Sequence, residues 1–411
     1  MSSPSQPTPS ASSSELRRSL GEPSPALPPL VNAAFLRVLL AQVAIGFGFS
    51  LYFLLPKYLV TELHAEPSVV GTVTATPLVA AVLASPLMGF ALDRFGRRRP
   101  MLVAGFIILL SSLGMLSVSS VGPWLYFLRI LQGLGFATAF NAATVIVADL
   151  SPPARMGQAM GLLGVASLTT NAVAPALGEG IAHAWGWRPV FALAASLGAA
   201  TMLCSFTLPS VSRKLALSTP SAVDSSVPGV WYAAAINGAA FGTLITFAQG
   251  FALELGAKRV AGYFVGYTVG ALVVRIGLGG AVDRMGRRRV AQFALAGYGL
   301  VLLLTTQLQL PLLALFGLGF GVAHGFTYPA LAALVAEGSS AVRRGRALTA
   351  FNGAFNGGAG LAMVGGGWLA REAGYRFVFA LVGAITLVSV TALAAPVRRL
   401  ARSLAPPDSQ P

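Results

Sequence analysis

The sequence predicts an all-α integral membrane protein, with twelve transmembrane helices in two six-helix halves. Three observations predict it. Charged residues make up only 10% of the chain and apolar residues 55%, against roughly 25% and 45–50% in ordinary globular domains. Apolar runs of about 20 residues recur along nearly the whole length, and each is long enough to cross about 30 Å of hydrocarbon. One charged turn occurs twice: Gly89-Phe-Ala-Leu-Asp93-Arg94-Phe-Gly96-Arg97-Arg98-Arg99 returns as Gly279-Gly-Ala-Val-Asp283-Arg284-Met-Gly286-Arg287-Arg288-Arg289, 190 residues later (283 − 93).

Residues 1–30 are rich in Ser and Pro and poor in apolar side chains, which predicts a disordered cytoplasmic tail. They lack the apolar core and cleavage site of a signal peptide, so the tail is expected to be retained. The first half, 31–209, holds six apolar segments at about 34–56, 68–92, 101–121, 124–150, 157–181 and 189–208. A Ser-rich polar stretch at 210–229 reads as a cytoplasmic linker. The second half, 230–399, holds segments at about 230–250, 260–282, 290–307, 312–336, 347–369 and 377–397, and 400–411 is a second cytoplasmic tail. Proline lies inside several segments (Pro77, Pro86, Pro175, Pro329), which membrane helices tolerate.

The duplication extends further. Asp149 to Arg155 matches Glu337 to Arg343, and Trp187-Arg188-Pro-Val-Phe191 matches Tyr375-Arg376-Phe-Val-Phe379, both 188 residues apart (337 − 149). Repeated landmarks at a nearly constant offset predict two related halves.

The net charge of +15 sits in short loops between apolar runs. That pattern predicts membrane topology and contact with anionic lipid, not a nucleic-acid partner. With both arginine turns on one side, that side also receives Arg37, Arg155, Arg213, Lys214, Arg343 and Arg398. The other side receives only Lys57, Arg188, Lys258, Arg259, Arg371 and Arg376. The arginine turns, the linker and both termini are therefore expected in the cytoplasm, with the chain in the cell (inner) membrane. The single cysteine, Cys204, permits no internal disulfide. No phosphate loop, zinc ligand set or hydrolase elbow is present, so the chain is expected to be no enzyme and to need no cofactor or metal.

These residues resemble the major facilitator superfamily of secondary transporters. The repeated turn matches that family's loop motif between its second and third helices, with an echo between the eighth and ninth. Arg129-Ile-Leu-Gln132-Gly133-Leu-Gly135 is similar to the fourth-helix motif, and Asn171-Ala-Val-Ala-Pro175-Ala-Leu-Gly178-Glu179 to the fifth-helix motif of exporters. The latter departs from the pattern, with Ala174 before the proline and Glu179 in place of a final glycine.

The resemblance implies a rocking transporter with a central cavity. It implies a gate built from Gly89, Asp93, Arg94, Gly96, Arg97 and Arg98 and from their counterparts Gly279, Asp283, Arg284, Gly286, Arg287 and Arg288. Asp93 is expected to meet the start of the eleventh helix, near Arg346–Thr349. Arg129 and Gln132, three apart on one helix face, are implied in proton movement; the alternative is an arginine reaching for the surface. Glu179 falls about 33 Å along its helix, where solvation is expected and proton carriage is the alternative. Helices one, four, seven and ten are implied to line the cavity. Their polar positions are Gln42, Thr138, Asn141, Asn237, Thr246, His324, Thr327 and Tyr328, with Phe47, Phe49, Tyr52, Phe136 and Phe241 as aromatic neighbours. Arg275 either reaches the near surface or faces the cavity, and Asn352 and Asn356 either join helices or serve a site. Few charges and many aromatics suit a neutral or amphipathic small molecule. Proton-coupled efflux is the expected activity; uptake by symport or uniport, and a sensor that binds without transporting, remain open.

Overall fold

The computed structural model describes residues 32–152, 155–208, 228–277, 286–339 and 344–394. Both expected tails and almost all of the expected linker lie outside them. The described residues form α1 (Ala33–Thr61), then α2 (Pro67–Phe95), α3 (Arg98–Gly114), α4 (Pro123–Leu150), α5 (Met156–Trp185) and α6 (Trp187–Phe206). The second half contributes α7 (Pro228–Glu254), α8 (Ala261–Gly277), α9 (Arg287–Thr305) and α10 (Leu313–Glu337). A last run, Arg344–Ala394, is divided at Gly374; its arms are α11 (344–373) and α12 (375–394). Among the described residues nine runs are long and apolar enough to cross a membrane, and one of them, Ala347–Thr391, takes in most of both α11 and α12.

The helix ends follow from local chemistry. Asn32 starts α1 by accepting the Phe35 N–H at 2.8 Å, and α2 and α4 begin on Pro67 and Pro123. Proline at a first helical position leaves no amide unsatisfied there. The duplication predicted by sequence reappears in the backbone. Gly96 (φ 73°) and Gly286 (φ 81°) break the chain at the two arginine turns, and Gly186 (φ 80°) and Gly374 (φ 81°) separate the fifth from the sixth helix of each half. A side chain would strain all four positions.

Two expected boundaries are corrected. α1 continues past position 56, through a 3-10 turn at Tyr52–Leu54, to Thr61. The expected gap at 370–376 is helical apart from Gly374. Both extensions lie at one end of the bundle, where helices of the two halves lean on each other.

That lean is set by small residues. At Gly71 of α2 a Cβ would strike the Met363 carbonyl of α11, and at Gly367 it would lie 2.6 Å from the Pro67 carbonyl. Backbones can approach this closely in lipid only where side chains are absent. The apolar core shows the same asymmetry. Near this end Leu54 and Ala75 of the first half belong to one buried cluster with the second half. At the arginine-turn end the buried cluster of the second half contains no residue of the first. Among the described residues, a shared apolar core thus joins the two halves at the end where α1 and α11 extend.

Candidate functional site

At the arginine-turn end, α2 and α3 are joined through Gly96, and the Arg97 side chain folds under the turn with 2% exposure. Its Nε lies 3.2 Å from Asp149 Oδ2, in the last turn of α4. Arg94 and Arg99 are exposed and Arg98 is half-buried. The echo repeats this pairing: Arg287 binds Glu337 at the end of α10, and Arg288 Nε donates to the Leu393 carbonyl at 2.6 Å. Neither acid was singled out from sequence as a partner of these arginines, although the matched spacing of Asp149 and Glu337 carried the signal. Gly89 is corrected: nothing lies within 4 Å of where its Cβ would be, so no close helix approach requires it. The Asp93 side chain, Gly279, Asp283, Arg284 and the Arg346 side chain lie outside the described residues, and with them the expected contact of Asp93 with α11.

The opposite end corrects a second expectation. Glu179 is not solvated; its residue is 3% exposed. Its carboxylate accepts the Val260 N–H at 2.7 and 3.0 Å and also the Ala261 N–H, which opens α8. Lys57 of α1 pairs with the same carboxylate and donates to the Lys258 carbonyl at 2.8 Å. A carboxylate on free amides at a helix start meets the positive end of the helix dipole. One side chain of the first half therefore caps a helix of the second. Gln249 of α7 adds a crossing bond from Nε2 to the Phe53 carbonyl at 2.8 Å, and Phe53 stacks on Phe264 with centroids 6.2 Å apart. Arg371 and Glu66 approach to 3.3 Å at the rim, but both are more than half exposed.

Between these ends lies a cavity. Its wide part, about 410 Å³, is bounded by Ser85 and Leu78 of α2, Phe136 and Asn141 of α4, Tyr328 of α10, and Asn352 and Asn356 of α11. That volume falls in the range of small-molecule sites. Phe49, Pro77 and Leu78 continue into a narrow part of about 60 Å³ toward the Glu179 end, where Tyr52, Phe53, Arg129, Phe241 and Thr246 join them. Gly133 sets the width here, because a Cβ on it would meet the backbone of Pro77.

Arg129 is 5% exposed. Its Nη1 donates to Gln132 Oε1, its Nε lies 3.4 Å from the Val73 carbonyl, and its guanidinium stands 5.2 Å over the Tyr52 ring. It does not reach the surface.

Of the remaining cavity candidates, Asn141, Thr246 and Tyr328 line the space, and Tyr328 Oη donates to Asn352 Oδ1 at 2.6 Å. Four are corrected. Gln42 is buried and donates to Ser167 Oγ at 2.8 Å. Thr327 is buried and donates to the Ala323 carbonyl of its own helix. Asn237 is buried and Thr138 half-buried, and neither lines the cavity. His324 sits in a cage of aromatic rings, with Phe241 at 4.9 Å and Tyr298 Oη 3.5 Å from Nδ1. Arg275 is exposed and lies against α5, its Cζ 2.9 Å from where a Gly164 Cβ would sit. Sequence reasoning missed the walls from α2 and α11. Their Pro77 and their two asparagines were visible, but their convergence was not.

The family model described as Major Facilitator Superfamily matches residues 38–256 and again 230–410. The chain is 32% identical over 126 residues to the multi-drug resistance efflux pump PmrA of Streptococcus pneumoniae, 31% of each chain. It is 28% identical over 174 residues to multidrug resistance protein 1 of Bacillus subtilis, 42% of this chain and 44% of that one. These alignments span less than half of either relative. Among solved structures, the nucleoside transporter NupG superposes with a TM-score of 0.74 at 14% identity, covering 88% of this chain and 98% of that one. The inward-open xylose transporter XylE from E. coli gives 0.70 at 17% identity, covering 88% and 95%. At these identities the likeness concerns the fold.

Proposed function

The chain belongs to the major facilitator superfamily, and we propose that it exports a small organic solute across the cell (inner) membrane by alternating access, in exchange for protons. The observation that carries this reading is the cavity between the halves, latched at one end by Glu179 and wide toward the other. Such an arrangement is one of the two end states of a rocking transporter. Clustered positive charge supports a cytoplasmic arginine-turn end, linker and termini in this reading, with the arginines meeting anionic lipid. The latched end then faces outward, and the cavity receives solute from the cell. The efflux activity in the name of the Streptococcus pneumoniae relative supports the outward direction.

Glu179 is the proposed coupling carboxylate. Protonation removes the charge that holds Lys57 and the α8 amides, so an outer proton opens the latch. Arg129 and Gln132 at the narrow end complete the implied coupling set. The two arginine turns gate the inner end in the opposite phase.

The test is flux in proteoliposomes with an imposed pH gradient and a panel of dyes, drugs, sugars and amino acids. Intact protein is expected to collapse the gradient with one compound class, and Glu179→Gln protein to lose the proton dependence. Solute movement without proton movement would leave a uniporter. Binding without any movement would leave a sensor.

A further inference from the structure

We infer that the narrow end of the cavity is an anchor for organic monoanions, whose apolar or aromatic body occupies the wide part. This names the substrate class and rests on the transporter reading. Arg129 is charged at any physiological pH, and the groups around it supply no counter-charge. Its partners among the described residues are an amide oxygen, a backbone carbonyl and a tyrosine ring. Among the described residues only Nε and Nη1 of the guanidinium donate, and Arg129 lines the narrow part of the cavity. A guanidinium this buried is held at a cost unless an anion meets it.

Its neighbours are also short of acceptors. Thr246 Oγ1, in the wall of the same space, and Gln132 Nε2, beside the guanidinium, are buried and find no partner among the described residues. Guanidinium, hydroxyl and amide together match a carboxylate or sulfonate, which accepts several bonds at once. The rings of Phe49, Phe136, Phe140 and Phe355, which line the wide part, fit a flat apolar body behind that anion.

The same chain withholds what a cation would need. The cavity is lined from α1, α2, α4, α7, α10 and α11. The sequence puts no acid on α1, and on the other five the acids are Asp93, Asp149, Glu254, Glu337 and Glu372, each in its helix's last turn. No carboxylate stands along the middle of the cavity to meet an ammonium group. Arg129 there makes the potential positive, which attracts anions and repels cations. Exchange of a monoanion for a proton is electrogenic, whereas exchange of a monocation is electroneutral, so the charge class also sets the response to membrane potential.

The experiment uses purified full-length protein and three probes sharing one ring system: 2-naphthoate, 2-naphthamide and 2-naphthylmethylammonium. Binding is read by equilibrium dialysis in detergent, and transport in proteoliposomes with and without an imposed potential. Naphthoate is expected to bind best and to move with a rate that depends on potential. Arg129→Gln should weaken its binding by about tenfold or more, as for loss of a buried charge-assisted contact, while leaving the other two probes little changed. Thr246→Val, which removes one hydroxyl and keeps the shape, should weaken naphthoate by a few-fold and guards against misfolding of the arginine variant. If naphthoate neither binds nor moves, or if the ammonium probe binds as well as naphthoate, the anchor is overturned; movement of either other probe would still uphold the transporter. If naphthoate binds through Arg129 but nothing moves, the anchor stands and the transporter reading falls.

Discussion

The two arginine turns are copies in sequence but not in setting. Arg97 is buried and Asp149 nearly so, their side chains 2% and 12% exposed, whereas the matching Arg287 and Glu337 are 37% and 54% exposed. The same pair of residue types therefore does different physical work. A buried pair keeps its attraction in a low dielectric but leaves a costly charge behind if one partner is removed. An exposed pair is solvated and screened. Burial of the first turn lets it fix α2, α3 and α4 as one unit. The second turn instead holds on through Arg288 and the backbone of α12.

The contrast can be broken by substitution. Arg97→Gln strands the Asp149 carboxylate, and a loss of about 3–5 kcal/mol is expected, read as a large fall in the detergent melting temperature. A double-mutant cycle with Asp149→Asn should return a coupling of about 0.5–3 kcal/mol; a value near zero would mean that burial does not bind the pair. Gly96→Ala and Gly286→Ala should cost about 1–3 kcal/mol and cost the same, since both positions need a positive φ whatever their exposure. Arg287→Gln should cost less than about 1 kcal/mol, and the effect should vanish in 1 M salt, where the screening length is about 3 Å. Equal losses at Arg97 and Arg287 would show that the copies act alike.

Much of the fold was legible because membrane constraints write themselves into sequence. Each helix must satisfy its own backbone bonds in lipid, so spans appear as long apolar runs. The repeat offset was legible for the same reason, and the positive φ at Gly96, Gly286, Gly186 and Gly374 falls on it. The site was less legible. Gln42 and Thr327 looked like cavity residues because their helices were implied to face the centre, but a polar side chain can equally turn to a neighbour or to its own helix. Pro77 was read only as a proline that a membrane helix tolerates, and Asn352 as either a helix contact or a site residue; both line the cavity.

The sequence alone determined the membrane class, the two-half repeat and the charge asymmetry between loops. These are one-dimensional properties, set by composition, spacing and order. Only the tertiary structure decided what Glu179 does. Counting along α5 placed it at the helix end, where water is the expected neighbour. The start of α8 occupies that place instead, with two backbone amides and Lys57 on the carboxylate. No sequence pattern announces that contact, because two of its three donors are main-chain amides of a kind that nearly every residue possesses. Their convergence depends on how one half leans on the other.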